Sequence, residues 1–113
     1  FRAQRRHYAQ QYAGASFDVV MYGQERAGRL CVLRSEREIC VVDLAILPRF
    51  RKNGIASALL RGIFGEAEAA GQTVIAHVET NNPALDLWKR LGFVVVEDRG
   101  VFVKIEWRPP RVG

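Results

Sequence analysis

Apolar stretches of two kinds, alternating and continuous, divide this chain into short strands and helices. Phe17 to Tyr22 reads as a strand and Gly23 to Arg26 as a turn. Gly28 to Arg34 and Glu38 to Leu47 are rich in Val, Ile and Leu and are separated by Ser35 and Glu36. They predict two antiparallel strands, the second nearly continuous and therefore central in its sheet. Pro48 closes it, and a basic, glycine-containing loop over 49–54 follows. Ala56, Leu59, Leu60, Ile63, Ala67 and Ala70 then recur at helical spacing, which predicts a helix over 55–70 with Gly71 as its C-cap.

Thr73 to Glu79 is the next strand. Asn82 and Pro83 supply an N-cap and a first-turn proline for a short helix. Its buried stripe is Ala84, Leu87, Trp88 and Leu91, and Gly92 stops it. Phe93 to Val96 and Val101 to Trp107 complete the pattern as strands, and Pro109 to Gly113 reads as a loose tail. At the other end, residues 2–13 are polar and basic with Ala3, His7, Tyr8 and Tyr12, a weakly amphipathic helix ending at Gly14. The predicted order is α-β-β-β-α-β-α-β-β. No linker or repeat divides it, so residues 1–113 are expected to form one domain of the α/β class, a mixed sheet flanked by helices.

If the hairpin around Ser35 and Glu36 is symmetric, Cys31 faces Cys40 and Gly28 faces Asp43. Alternation then puts Asp43 on one face with Ile39, Val41, Ala45 and Leu47. Burying a carboxylate in an apolar row is costly unless it is paired or protonated. Asp43 is therefore either a residue leaning to the surface or accepting backbone hydrogen bonds, or a base or substrate anchor.

Composition narrows the function. A length of 113 residues is too short for a TIM barrel, a full dinucleotide-binding domain or a two-lobed enzyme, and long enough for one core. With 49% apolar and 26% charged residues the chain is globular in character. A net charge of +5 favours anionic partners: nucleic acid, an anionic surface or a phosphate-rich cofactor. Nucleic acid is disfavoured by the lack of aromatic interleaving, a zinc pattern or a basic recognition helix. No apolar run approaches the roughly 18 residues of a membrane span, and no signal peptide is recognisable. A cytoplasmic, reduced protein without a membrane partner is expected. The chain begins at Phe1, so residues upstream are expected. Two cysteines build neither a disulfide scaffold nor a metal framework. Cys31 and Cys40 are expected as free thiols, with a cross-strand disulfide as the alternative, and no metal is expected.

The strongest local feature is the run Leu47 to Ala56, between a central strand and a helix. A helix N-terminus exposes unpaired N–H groups and a partial positive charge, which suits phosphate. Gly54 lets backbone approach a ligand, and Arg49, Arg51 and Lys52 bring positive charge. The run matches neither of the glycine-rich nucleotide fingerprints. A phosphate site and a solvated basic turn are its two readings. His77 is read as a packed or hydrogen-bonded histidine, with base or ligand as the alternative. His7 is read as exposed. Tyr8 and Tyr12, four apart on one helical face, read as packing residues or as lining for an acceptor pocket.

Arg51-Lys52-Asn53-Gly54-Ile55-Ala56, after Ala45-Ile46-Leu47-Pro48, resembles the acyl-CoA-binding motif Gln/Arg-x-x-Gly-x-Gly/Ala of the GNAT superfamily of N-acyltransferases. Asn81-Asn82-Pro83-Ala84-Leu85-Asp86-Leu87-Trp88, ending in Gly92-Phe93, resembles that family's Asn-x-x-Ala-x-x-Leu-Tyr segment. The two motifs stand in the family's order and the resemblance spans about residues 17 to 107. The family's usual first strand and helix are unmatched, so the N-terminus is expected to be incomplete.

The resemblance implies a GNAT-like fold and an acetyl-CoA-dependent N-acetyltransferase acting on a small-molecule or peptide amine in a ternary complex. It implies that backbone groups of Leu44, Ala45, Ile46 and Leu47 bind the pantetheine arm where strands 38–47 and 73–79 splay apart. Backbone N–H groups of Arg51, Lys52, Asn53, Gly54, Ile55 and Ala56 would hold the pyrophosphate, and the Asn81 side chain would lie near the pantetheine or the thioester. Trp88 stands where many members carry a tyrosine acid. It fits the helix's apolar stripe as core, with pantetheine contact as the alternative. The reaction needs a neutral amine, so a carboxylate is the natural base. Asp43 is the first candidate and Glu79, on the neighbouring strand, the second. A non-catalytic acyl-CoA-binding sensor or partner subunit is the competing function. A homodimer through strands 93–96 and 101–107 is expected.

Overall fold

The structure, a computed structural model, describes residues 2–6 and 15–110. The apolar runs extend into β1 (Arg2–Arg6), β2 (Ala15–Tyr22), β3 (Glu25–Arg34), β4 (Glu38–Ile46), β5 (Thr73–Glu79), β6 (Val94–Asp98) and β7 (Phe102–Trp107). The two segments of helical spacing coil as α1 (Ile55–Ala70) and α2 (Ala84–Arg90), and a turn of 3₁₀-helix at Pro48–Phe50 follows β4. One seven-stranded sheet runs in the order β1-β2-β3-β4-β5-β7-β6. Its neighbours are antiparallel except β4 and β5, which are parallel and joined through α1. This is the mixed sheet that the sequence predicts.

Residues 2–6 are a strand, not the first turns of a helix. Arg2 to Arg6 pair antiparallel with Met21 to Phe17. An edge strand needs only backbone partners, whereas an isolated helix needs an apolar stripe, and these residues have a weak one. The rest of the predicted helix, with His7, Tyr8 and Tyr12, and the end of the predicted tail at 111–113 lie outside the described residues.

The core forms where α1 covers the sheet. Ile55, Leu59, Leu60, Ile63, Phe64 and Ala67 are buried along the helix. They join Val20, Leu30, Val32, Ile39, Val41, Val74, Ala76 and Ile105 in one cluster. Ile55 and Phe64 take the places that periodicity gave to Ala56 and Ala70. Gly71 caps the helix in the left-handed conformation, as predicted. The Phe64 ring stacks on Trp107 at 4.2 Å and tilts against Phe93, whose ring meets the edge of Trp88 at 5.1 Å. Each such pair adds about 0.5–1.5 kcal/mol beyond burial. Together they tie α2 to α1 and β7, which fixes where α2 stands relative to the sheet.

The β3–β4 register departs from the symmetric hairpin. The turn runs from Ser35 to Glu38, with Ser35 N donating to Glu38 O at 3.1 Å and Ser35 Oγ accepting from the backbone of Arg37 and Glu38. Leu33 therefore faces Cys40, and Val32 faces Val41. A bulge follows: Cys31 faces Asp43, so Val42 is the extra residue, and Gly28 faces Ile46. Beyond Val42 the alternation inverts, and Leu44 and Ile46 pack on the core. Asp43 and Ala45 thus leave the face of Ile39 and Val41. The expected costly burial of the Asp43 carboxylate does not arise, because the bulge turns it to the other side of the sheet. Gly28 is required here for close approach, since a Cβ would lie 2.1 Å from Ala45 O.

The pairing of β4 with β5 runs from Glu38 opposite Thr73 only as far as Val41 opposite Ala76. Both strands continue beyond, to Ile46 and Glu79. They part at the bulge.

Candidate functional site

The parting of β4 and β5 leaves backbone groups of β4 without a strand partner on that side, and a cleft of about 590 Å³ opens there. Leu44, Ala45 and Ile46 form one wall. Leu47, the fourth residue predicted to offer backbone, does not line it. Its N–H is already spent on Ala27 O at 2.7 Å.

From β4 the chain turns through Pro48–Phe50, which buries Phe50. Arg49 lies over the Phe50 ring at 4.8 Å and pairs with Glu25 at 3.5 Å. Arg49 is therefore not among the cleft's cations, contrary to the reading of the basic run. Arg51 Nε donates to Ile46 O at 3.1 Å, tying the loop back to β4. Asn53 Nδ2 donates to Phe50 O at 3.0 Å, so its side chain braces the loop, and the residue does not line the cleft. Lys52 and Gly54 take left-handed backbone conformations, with φ of 67° and 72°. That geometry is costly at Lys52 and easy at Gly54.

Gly54 is also the N-cap of α1 and offers no side chain to its first turn. The early N–H groups of an α-helix have no intrahelical partner. Here Gly54, Ile55, Ala56 and Ser57 line the cleft, together with Arg51, Lys52 and Arg90. Uncapped N–H groups, the positive end of the helix dipole and three cationic residues thus line one cleft. Such an arrangement of backbone and charge suits an anion.

A second, smaller cavity of about 290 Å³ occupies the splay itself. Both candidate carboxylates, Asp43 and Glu79, line it, as does His77. His77 is exposed there, not packed as the sequence reading had it. The two cavities share Leu44, Asn82, Ala84 and Trp88. Arg29 Nε donates to Asp43 Oδ2 at 2.5 Å, with the aspartate side chain 42% exposed. Among the described residues the Glu79 carboxylate has neither an ion pair nor a side-chain hydrogen bond.

Trp88 packs as core, as its apolar stripe predicts: it is buried at 7% exposure in the aromatic cluster, and it also walls both cavities. Asn81 lines neither cavity. Its neighbour Asn82 lines both, and its Oδ1 accepts from Ala84 N at 2.9 Å, capping α2 as the sequence predicts. Asn82, Ser57, Leu87 and Arg90 were absent from the predicted site. The cap signal pointed to Asn82, and the position of Arg90 in the last turn of α2 pointed to a cation. Cys31 and Cys40 are free thiols. Burial pushes both above the ordinary cysteine range, and Asp43 and Asp18 add to the effect at Cys31. Among the described residues no group of three His, Cys, Asp or Glu side chains is placed to hold a metal ion. None of the described helices is long and apolar enough to cross a membrane.

Comparison with known proteins agrees with this architecture. The family model of the acetyltransferase (GNAT) family matches residues 2–93, reaching back to β1. No curated protein sequence matches. A PaiA N-acetyltransferase from Thermoplasma acidophilum, solved with coenzyme A, is similar at 16% identity, with 88% of this chain and 64% of that one covered and a TM-score of 0.75. The ribosomal-protein-S18-alanine N-acetyltransferase of Escherichia coli is similar at 18% identity, covering 91% and 74%, with a TM-score of 0.74. A GNAT family acetyltransferase from Elizabethkingia anophelis with acetyl-CoA bound is similar at 13% identity, covering 84% and 76%, with a TM-score of 0.71. The chain spans 64% to 76% of the length of these three proteins, and at such identities the likeness is one of fold. Together with the parallel splay and the loop–helix junction beside it, the match over most of the sequence places this chain in the GNAT family of acetyltransferases.

Proposed function

We propose that this protein transfers the acetyl group of acetyl-CoA to a primary amine by direct attack in a ternary complex. The observation that carries the reading is the parting of β4 from β5 beyond Val41 and Ala76, next to a basic, uncapped helix N-terminus. The donor set fits the cosubstrate. Strand backbone at Leu44 to Ile46 that has parted from β5 suits an arm built of amides, and the first turn of α1 with Arg51, Lys52 and Arg90 suits a diphosphate. The cleft volume lies within the range of small-molecule sites.

Acetyl-CoA, when bound, supplies an acyl group activated as a thioester. The chain's own groups do the rest. Backbone N–H groups of β4 polarise the carbonyl. Asp43 takes the proton that the acceptor ammonium must lose, directly or through water. Trp88 walls both cavities where they meet. Its indole is no acid, and none is needed, because a thiolate with a pKa of about 8.5 is an adequate leaving group. Juxtaposition of the two reactants supplies much of the remaining rate.

Release of free thiol from acetyl-CoA in the presence of a panel of amines tests this reading. Amine-dependent release supports it. Tight acetyl-CoA binding without release for any amine would favour the non-catalytic sensor, for which Trp88 is the supporting residue. We also propose a homodimer through the β6 edge, where Val94, Val95 and Val96 are exposed and which ends the sheet among the described residues; β7, the other strand expected there, lies between β5 and β6 and offers no edge. Sedimentation showing only monomer at micromolar concentration would count against it.

A further inference from the structure

We propose that Asn53 is a positioning residue for the cosubstrate: its side chain holds Lys52 in the left-handed conformation that presents the loop's N–H groups to the diphosphate. The inference rests on the acetyl-CoA reading above and adds a residue whose side chain need not touch the ligand. Lys52, with φ of 67°, is the one non-glycine residue of positive φ among the described residues. A Cβ disfavours that conformation, so the surrounding structure has to hold it. From Arg51 to Gly54 φ alternates in sign, being −67° at Arg51, 67° at Lys52, negative at Asn53 and 72° at Gly54. Backbone that turns in this way gathers successive N–H groups into a concavity for anions. Lys52 and Gly54 both line the larger cavity, and Asn53 between them does not.

Asn53 Nδ2 donates to Phe50 O at 3.0 Å and to Arg51 O at 3.4 Å, closing a turn around Lys52. Both partners are carbonyl oxygens, so the amide nitrogen is the end of the side chain that meets them. Phe50 is a fixed point to grip. Its ring is buried at 7% exposure and meets Tyr22 at 5.6 Å, and its N–H donates to Leu47 O at 2.9 Å. Arg51 adds a second tie, from Nε to Ile46 O, but on the near side of Lys52. Residues 51–54 are all exposed, so apolar packing does not keep Lys52 where it is. That leaves the Asn53 amide as the restraint. Without it the loop relaxes toward negative φ at Lys52, and apparent affinity falls with the population of the competent form.

A double-mutant cycle on acetyl-CoA affinity, read by calorimetry, tests this role. Asn53→Ala leaves the left-handed Lys52 unsupported and should weaken binding about threefold to tenfold, with the stoichiometry kept. A merely structural role would instead lower the stoichiometry through a fraction of unfolded protein. Glycine takes either hand with similar ease, so in a Lys52→Gly background N53A should cost less than about twofold. The charge lost with Lys52 is common to both glycine-bearing proteins and cancels from the comparison. Equal losses in the two backgrounds, or unchanged affinity of N53A alone, would overturn the role of Asn53 and leave the cleft as the acetyl-CoA site. No binding of acetyl-CoA by the wild-type protein at millimolar concentration would overturn the acetyl-CoA reading and this inference with it.

Discussion

Arg29 reaches across the β3–β4 pair and donates from Nε to Asp43 Oδ2 at 2.5 Å. The contact joins an exposed cation to a carboxylate in the splay, one residue beyond the bulge. If Asp43 is the base, Asp43→Asn should keep the fold and acetyl-CoA affinity and lower turnover by about 10² to 10⁴ at neutral pH. The loss should shrink as pH rises and more of the acceptor is already neutral. Arg29→Met should cost less, about threefold to tenfold, since an exposed pair orients more than it stabilises. Rates of D43N, R29M and wild type across pH check both. Wild-type turnover by D43N at pH 7 would remove Asp43 from the mechanism.

At the loop, Gly54 has φ of 72° with open space around it. Gly54→Val should therefore cost acetyl-CoA affinity through backbone strain and through the bulk placed where a ligand meets backbone. Arg51→Ala should weaken binding more mildly, and the deficit should fade with added salt. Calorimetry at low and high ionic strength distinguishes the two. Unchanged affinity for G54V would contradict the loop's assignment.

Gly28→Ala tests the bulge. The added methyl would sit 2.1 Å from Ala45 O, on a backbone that cannot yield without disturbing the pairing at Ile46. A destabilisation of about 1–3 kcal/mol is expected, read from urea unfolding. A neutral substitution would mean that β3 and β4 are less closely apposed.

Burial raises the thiols of Cys31 and Cys40 above the ordinary range. The folded chain therefore keeps these protons to higher pH than the unfolded chain does. Above the unfolded value of about 8.5 the native state binds more protons, so stability falls as pH rises. Urea unfolding at about pH 7 and about pH 9.5 should show the decline, and the Cys31→Ala, Cys40→Ala double variant should flatten it. An equally steep decline in the variant would assign it to other groups.

The helix over 55–70 and the strand over 73–79 were legible to the residue, because long periodic segments bounded by Gly54 and Gly71 leave little freedom. The bulge was not. Val41, Val42 and Leu44 are all apolar, so an extra residue among them leaves no mark on the alternation, yet it turns Asp43 to the opposite face. The polar β1 was hidden for another reason: its stability comes from backbone pairing with β2. Within the site, the loop and first turn of α1 could be placed from helix-terminus physics alone. The displacement of Leu47 and Arg49 from the cleft could not, since each is drawn off by a partner that only the folded chain brings near.

The central claim is that the splay between β4 and β5 and the first turn of α1 hold acetyl-CoA, and titration with acetyl-CoA followed by amide NMR tests it most directly. Saturable shifts confined to the amides of Leu44 to Ile46, Arg51 to Ser57 and the start of α2 are predicted. Shifts elsewhere with these amides unmoved, or none at millimolar acetyl-CoA, would contradict it.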